Sequence, residues 1–427
     1  MVNSSLDQQP GMIGEIIAIG DELISGRTEN TTSAFAARHL FAAGHEIYAM
    51  HTIGDNPTLI GEVLKRALKR VDFVVVTGGL GSTTDDLTNE AVAEALDREP
   101  ILYPEILKRI REHLDANQQL SNLEKMAWLP QGAEILNKKA KMAGYLLVHD
   151  KVPVFFLPGV PYQMRELLLE HVLPRLAGWS GNHHRVKQRT YKTFGLPETV
   201  INQRLLALER RDSIHIGYYP VNCEVHVSLT VLEENKQAAE EKFIAADHII
   251  TDSLGDALYG TDQDTLASVV GKLLLAKGKM LSVAESCTGG MIGKRITEVA
   301  GSSAWFSGGV IAYSNSLKEI LLNVDHDLLN NYGAVSEQVA IAMAARLSER
   351  ISADISVSVT GIAGPGGGSD EKPVGTVYIG IFYNNQVTAR LHHFSGNRAR
   401  IRDITTCTAL DTVRRALLTD SVQGDRR

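Results

Sequence analysis

In Lys279-Met-Leu-Ser-Val-Ala-Glu-Ser-Cys-Thr-Gly-Gly290 an apolar strand, Lys279 to Val283, runs into a glycine-containing turn that opens a helix. Such a turn presents its side chains at the edge of a sheet. The first amides of a helix have no partner inside it, so they can stabilise an oxyanion or bind a phosphate. Ser286 thereby becomes a candidate for acyl-transfer chemistry. Ser286 or Thr288 serving as a plain helix cap accounts for the same residues, and the local pattern leaves both open.

Outward from this point, strand and helix patterns alternate along the chain. In the first half they run Glu15 to Ile19, Thr31 to Ala43, Glu46 to His51, Thr58 to Arg70 and Phe73 to Thr77, followed by a strand at Val154 to Leu157 and a helix from Tyr162 to Leu176. This β-α-β-α-β rhythm implies an α/β fold with a parallel sheet covered by helices and ligands at the carboxyl ends of the strands. A polar break from Ala177 to Arg185 ends that domain, placed at residues 12–177. A compact α+β module follows at 186–255, with a strand from Val186 to Phe194, a helix from Glu198 to Glu209, alternation from Glu224 to Leu232 and a helix from Asn235 to Leu254. Tyr259 to Leu266 reads as a linker and helix start. A third α/β domain spans 262–420, and the tail beyond Asp420 reads as frayed.

The chain has 427 residues, and at about 150 residues per domain it should hold two to four domains. Hydrophobic content of 44% against 22% charged residues fits a globular protein. No apolar run approaches the roughly 20 residues that span a bilayer, so no membrane role is expected. Met1 to Gly11 is polar, with no basic stretch before an apolar one, and reads as a disordered leader rather than a signal peptide. A cytoplasmic location follows. Cys223, Cys287 and Cys407 are too few and too scattered for a disulfide framework or a zinc site. With 43 basic and 50 acidic residues, a net charge of −7 disfavours nucleic acid as a partner.

Several loops could carry chemistry. In the first domain, Gly20-Asp21-Glu22 and Thr77-Gly-Gly-Leu-Gly-Ser-Thr-Thr-Asp-Asp86 both leave strand carboxyl ends. Gly78, Gly79 and Gly81 would let backbone amides approach a phosphate, while Asp21, Glu22, Asp85 and Asp86 offer oxygen ligands to Mg²⁺ or another divalent cation. Ordinary turns with solvated acids account equally for these residues, which match neither the Walker A nor the G-x-G-x-x-G pattern. In the third domain, Tyr313-Ser-Asn-Ser-Leu-Lys318 leads from a strand into a helix, with Ser316 and Glu319 at capping-box spacing. That places Lys318 in the first turn, where the helix dipole should lower its pKa, and Tyr313 could relay a proton or position it. The alternative is an exposed surface lysine. Thr360, Gly361 and the glycines up to Gly368 form a binding loop or a hinge, and Arg398 could hold a phosphate or simply lie on the surface. Cys287 is a nucleophile in principle, with a buried structural role as its alternative. Gly301-Ser302-Ser303 superficially resembles amidase-signature enzymes, but its surroundings do not match.

Taken together, these motifs resemble the CinA (competence/damage-inducible protein) family over nearly the whole chain. They are Ala284-Glu-Ser-Cys-Thr-Gly-Gly290, Tyr313-Ser-Asn-Ser-Leu-Lys318, Gly333-Ala-Val-Ser-Glu337 and Thr360-Gly-Ile-Ala-Gly-Pro-Gly-Gly367. The resemblance implies an N-terminal molybdopterin-binding-like three-layer α/β domain, a small KH-like α+β middle module and a C-terminal α/β nicotinamide-nucleotide amidase domain. It further implies hydrolysis of nicotinamide mononucleotide (NMN) to nicotinic acid mononucleotide and ammonia, with no cofactor required. Ser286 would be the nucleophile, Lys318 and Tyr313 would transfer protons, and amides near Thr288, Gly289 and Gly290 would hold the oxyanion. Thr360, Gly361, Cys287 and Arg398 would position substrate. The first domain resembles a metal-dependent ADP-ribose pyrophosphatase but departs from the pattern. Ser82 replaces a proline, Thr32 an asparagine and Gln163 a glutamate, and Ala140 to Gly144 lacks the usual Gly-Thr-Ala-Pro-Gly. Weak or absent pyrophosphatase activity is therefore expected. The other functional classes are a regulatory protein linked to competence or DNA damage and a pterin binder; the usual Gly-x-x-Gly loop of a KH module is not evident. A homodimer is the expected assembly.

Overall fold

The computed structural model describes residues 12–112, 123–137, 144–179, 185–233 and 235–424. The expected leader Met1 to Gly11 and most of the Ala140 to Gly144 departure lie outside these residues. Two compact units emerge: Met1–Gln188 with Val231–Phe243, and Arg189–Thr230 with Ile244–Arg427.

The first unit is built on a six-stranded sheet in the spatial order Glu46–Ile53, Ile13–Ile19, Phe73–Thr77, Val152–Leu157, Tyr145–His149, Glu134–Ile135. The first four strands run parallel, as the alternation predicts, and the last two run antiparallel. Sequence rhythm misses the antiparallel pair because a hairpin replaces the crossover helix there. Asp150 and Lys151 make its turn with φ of 47° and 69°. The central strands read as almost unbroken apolar runs because both faces are covered. Ile17, Val74 and Val76 pack beneath Ile60, Leu64 and Val92, while Ile16, Phe73 and Val75 face Leu40, Met164 and Leu168 on the other side. Glu15, fully buried on strand Ile13–Ile19, pairs with Arg70 and lies 3.2 Å from His51 Nε2. The helix predicted over Tyr162 to Leu176 runs from Pro161 to Trp179 with a π turn at Leu168–Val172. Pro174 has no N–H to give and crowds the preceding carbonyls, which accounts for that turn.

In the middle module a four-stranded sheet has the order Ile214–Val221, Glu224–Glu233, Arg185–Phe194, Leu258–Thr261. Two of its strands were not anticipated. Leu258–Thr261, read as linker, pairs antiparallel with the strand ending at Phe194 and buries Tyr259. Ile214–Val221 is mostly open to solvent, so it lacks the apolar alternation that would reveal it.

The C-terminal domain carries a five-stranded sheet in the order Phe306–Ile311, Leu281–Glu285, Ile355–Gly361, Thr376–Tyr383, Gln386–His393. Its first three strands are parallel and its last two antiparallel, joined at Asn384 and Asn385, whose φ values are 52° and 59°. On one face Leu281, Val283 and Val357 pack on helices Leu266–Lys277 and Arg398–Gly424. On the other, Ala284 meets Val339 and Met343 of helix Glu337–Ile351, and Ser358 donates to the Ala340 carbonyl at 2.6 Å. The Thr265 capping box and left-handed Gly278 bound the first helix. The last helix continues to Gly424, past the point where fraying was expected.

Leu281 is fully buried on a strand flanked by parallel neighbours on both sides. Leu281→Ala should cost about 3 kcal/mol in denaturant unfolding of the C-terminal domain, as deletion of a core leucine does. A loss below about 1 kcal/mol would mean that the strand is not a core element.

Candidate functional site

The strand Leu281–Glu285 ends between two parallel neighbours that fix the start of the next turn. Ser286 N–H donates to Val359 O at 3.0 Å on one side, and Ala312 N–H donates to Glu285 O at 2.8 Å on the other. The chain then turns through Gly289 and Gly290, whose φ values of 58° and 91° suit glycine. A Cβ on Gly290 would also lie 2.9 Å from Ile311 Cδ1. Helix Met291–Thr297 comes next.

Lys318 projects into this turn from helix Asn315–Leu322. Ser314, not Ser316, caps that helix by accepting from Leu317 N–H at 3.1 Å, so Lys318 is its fourth residue. The amine is 1% exposed. Nζ lies 3.1 Å from Ser286 Oγ, 2.9 Å from Ala312 O and 3.4 Å from Tyr313 O. Burial holds the lysine below its ordinary pKa, and no carboxylate pairs with it among the described residues. A neutral amine has two N–H bonds and one lone pair. In that form the amine would give its N–H bonds to the carbonyls, which can only accept, and turn its lone pair to the Ser286 hydroxyl proton.

Cys287 is 6% exposed, and burial pushes its thiol up to about 11, which keeps it protonated near neutrality. Its side chain packs in the core with Val283 and Ile292.

Glu285, 1% exposed, was not foreseen from the sequence. Its carboxylate accepts from Gly290 N–H at 2.8 Å, Ile292 N–H at 3.2 Å and Gly293 N–H at 2.8 Å. The helix terminus expected to receive an oxyanion or phosphate is thus filled by the protein's own acid. Gly289 N–H is also engaged, by Ser286 O at 3.1 Å. Among the described residues, the Cys287 and Thr288 N–H groups are the donors of this turn without an acceptor in another residue. The open donors thus lie at Cys287 and Thr288, nearer Ser286 than the expected span of Thr288 to Gly290. An acid directly before the Ser-Cys pair, just ahead of a helix start, was the readable signal for Glu285.

The other expected residues, Tyr313, Arg398, Thr360 and Gly361, are engaged within the fold. The Tyr313 phenol, exposed, accepts from Arg398 Nη2 at 3.0 Å and has no hydrogen bond to Lys318; only its carbonyl meets the amine. Arg398 Nη1 donates to Gly364 O at 2.8 Å, which ties the glycine-rich loop to Tyr313. Thr360 is buried and its hydroxyl donates to Ala334 O at 2.7 Å, which holds the loop before helix Glu337–Ile351 instead of facing outward. Gly361 closes the strand opposite Val377. Arg402, also unforeseen, donates to Thr288 O at 2.6 Å from one turn beyond Arg398.

In the first unit, Asp21 N–H donates to Asp55 Oδ2 at 2.8 Å and Asp55 N–H returns a bond to Asp21 Oδ1 at 3.1 Å. Burial raises the Asp55 pKa, and Asp21, Asp85 and Glu22 add to the rise. Asp55 was not foreseen. Asp86 spends its carboxylate on Thr83 N–H at 2.9 Å, and the Glu22 carboxylate packs against Gly20. Gly78 and Gly79 have positive φ and sit against Ile19 O and Thr88 Oγ1, while Gly81 borders Asp86, so these glycines already serve close packing. Oxygen donors of this kind suit a divalent cation. Yet among the described residues the one group with three ligand atoms within 4.8 Å of one another lies elsewhere, at Cys223, Glu224 and Cys407. The described residues of the first unit hold no such group of three.

Two outcomes are expected for stability. Glu285→Ala should cost about 3 kcal/mol or more, because three amides lose their acceptor, while Glu285→Gln should lose less; denaturant unfolding measures both. For Lys318, the native pKa lies below the unfolded one, so between them the unfolded chain binds more protons and stability rises with pH. Lys318→Met should therefore raise Tm at neutral pH and flatten its rise toward alkaline pH. A fall in Tm at pH 7 would contradict a desolvated amine.

Comparison with known proteins agrees with this architecture. Residues 15–178 match the family model described as probable molybdopterin binding domain, 188–260 the damage-inducible protein CinA KH domain, and 263–417 the CinA C-terminal domain. A CinA-like protein of Desulfotalea psychrophila is 50% identical over 95% of this chain and 99% of its own. A putative competence-damage inducible protein of Moorella thermoacetica is 38% identical over the same shares. The crystal structure of a competence/damage inducible protein from Agrobacterium tumefaciens matches 36% of this chain and 93% of its own, at 43% identity and a TM-score of 0.35. No helix among the described residues is long and apolar enough to cross a membrane. With its three matched domains and full-length relatives, the chain belongs to the CinA family.

Proposed function

We propose that the C-terminal domain is a serine–lysine amidase that hydrolyses the carboxamide of nicotinamide mononucleotide. The observation that carries the chemistry is the buried, unpaired Lys318 amine 3.1 Å from Ser286 Oγ. The substrate is inferred from the family motifs around that pair. Ser286 Oγ attacks the amide carbon as its proton passes to Lys318 Nζ. The Cys287 and Thr288 N–H groups receive the oxyanion, a role typically worth roughly 3 kcal/mol per donor. Lys318 then gives the proton to the departing nitrogen, and ammonia leaves. Water attacks the acyl-enzyme, Lys318 takes its proton, and nicotinic acid mononucleotide is released as Ser286 recovers its hydrogen. The Arg398 and Arg402 guanidiniums supply positive charge beside the turn for the substrate phosphate.

For the first unit we propose nucleotide binding with weak or absent pyrophosphatase activity. Gln163 occupies the position of an expected carboxylate, and its buried Oε1 has no partner among the described residues.

Ammonia release from NMN tests the amidase. Wild-type turnover should fall at least about 10⁴-fold in Ser286→Ala and about 10³-fold in Lys318→Met, yet persist within a few-fold in Cys287→Ala. Turnover that survives the first substitution and is lost in the last would assign the reaction to the thiol; no wild-type turnover would favour a binding or regulatory protein. With ADP-ribose and Mg²⁺, the full-length protein should release no AMP above background, and rapid release would refute the assignment for the first unit.

A further inference from the structure

Cys223 and Cys407 are 184 positions apart in sequence, which is why they read as scattered, but the fold brings them together. Cys223 sits at the turn between strands Ile214–Val221 and Glu224–Glu233, and Cys407 is fully buried on helix Arg398–Gly424. Their Sγ atoms and a Glu224 carboxylate oxygen all lie within 4.8 Å of one another. The turn is held against the helix by Arg400, which donates to Asn222 O at 3.3 Å.

A cation is one candidate for such a cluster, and its surroundings argue against it. Arg295 Nη1 donates to Cys407 Sγ at 3.1 Å while its other nitrogen pairs with Asp403, so a positive charge already occupies that sulfur. Glu224 is engaged by the Tyr259 hydroxyl at 2.7 Å and by His226 Nε2 at 3.0 Å. What remains free to react is a pair of neighbouring thiols, one buried and one partly exposed. Both are reduced in this structure. Asn222, with φ of 55°, makes the turn that carries Cys223.

We propose that Cys223 and Cys407 form a reversible disulfide that tethers the middle module to the helix bearing Arg398 and Arg402. The oxidant is a hydroperoxide. It oxidises the accessible Cys223 to a sulfenic acid and leaves as the alcohol, or as water when it is hydrogen peroxide. The Cys407 sulfur, beside the Arg295 guanidinium, then attacks the Cys223 sulfur. The S–O bond breaks, and hydroxide departs with the Cys407 proton as water. Two electrons have passed from the sulfur pair to the peroxide bond, and a dithiol reductant reverses the change.

The test treats the full-length protein with excess hydrogen peroxide, then reads intact mass, free thiols after denaturation and linked tryptic peptides. The expected result is a loss of about 2 Da, survival of the Cys287 thiol alone, a linked Cys223–Cys407 peptide and full reversal by dithiothreitol. Cys223→Ser should show no linked peptide. Wild-type protein that gains oxygen at Cys223 without a cross-link, or keeps all three thiols, would overturn the proposal. So would protein that carries one equivalent of zinc and releases it on thiol alkylation, because that outcome makes the cluster a metal site.

Discussion

Burial of the Lys318 amine without a counter-charge is the constraint around which the C-terminal domain is arranged. An ammonium ion there would have to give up water for two carbonyl oxygens and a hydroxyl, and no acid is at hand to compensate. That cost lowers the pKa of the amine. Loss of the proton would leave the lone pair that the proposed nucleophile needs beside it, so the same burial favours the base proposed for the reaction. The helix dipole, invoked from the sequence, has a smaller part. Lys318 is the fourth residue of its helix, and desolvation is the leading cause of its lowered pKa.

A second constraint fixes the partner. Ser286 sits on a turn whose entry is gripped by Val359 and Ala312 and whose exit is gathered by the Glu285 carboxylate. Ala312 links the two halves, since its N–H holds the end of the nucleophile strand while its carbonyl receives the lysine. Small displacements of that strand would therefore move serine and base together. The acid and the amine thus divide the work: one orders the backbone, the other handles the proton.

The fold was legible where packing imposes a period. Buried parallel strands such as Phe73–Thr77 and amphipathic helices such as Pro57–Leu68 stand in the structure as the residues suggest. What escaped was decided by long-range pairing. Leu258–Thr261 becomes a strand only because the edge beside Thr193 is open to it, and Ile214–Val221 exposes most of its side chains. Within the site, Ser286 and Lys318 were visible through motif and turn, whereas Glu285, Arg402 and Asp55 act through partners that the sequence does not place next to them. The 184-residue separation hid the thiol pair for the same reason. Thr360 shows the opposite error: a hydroxyl at a strand end that the sequence suggests for substrate is spent on the Ala334 carbonyl.

The most direct test of the account is the pH dependence of kcat/KM for NMN hydrolysis, since it reads the proton on Lys318 in the free protein. The rate should rise with pH through a single ionisation below the ordinary lysine value and then level, with that ionisation absent from the residual activity of Lys318→Met. A rate limb at the ordinary lysine position, or one that persists unchanged in Lys318→Met, would contradict a neutral buried lysine as the base.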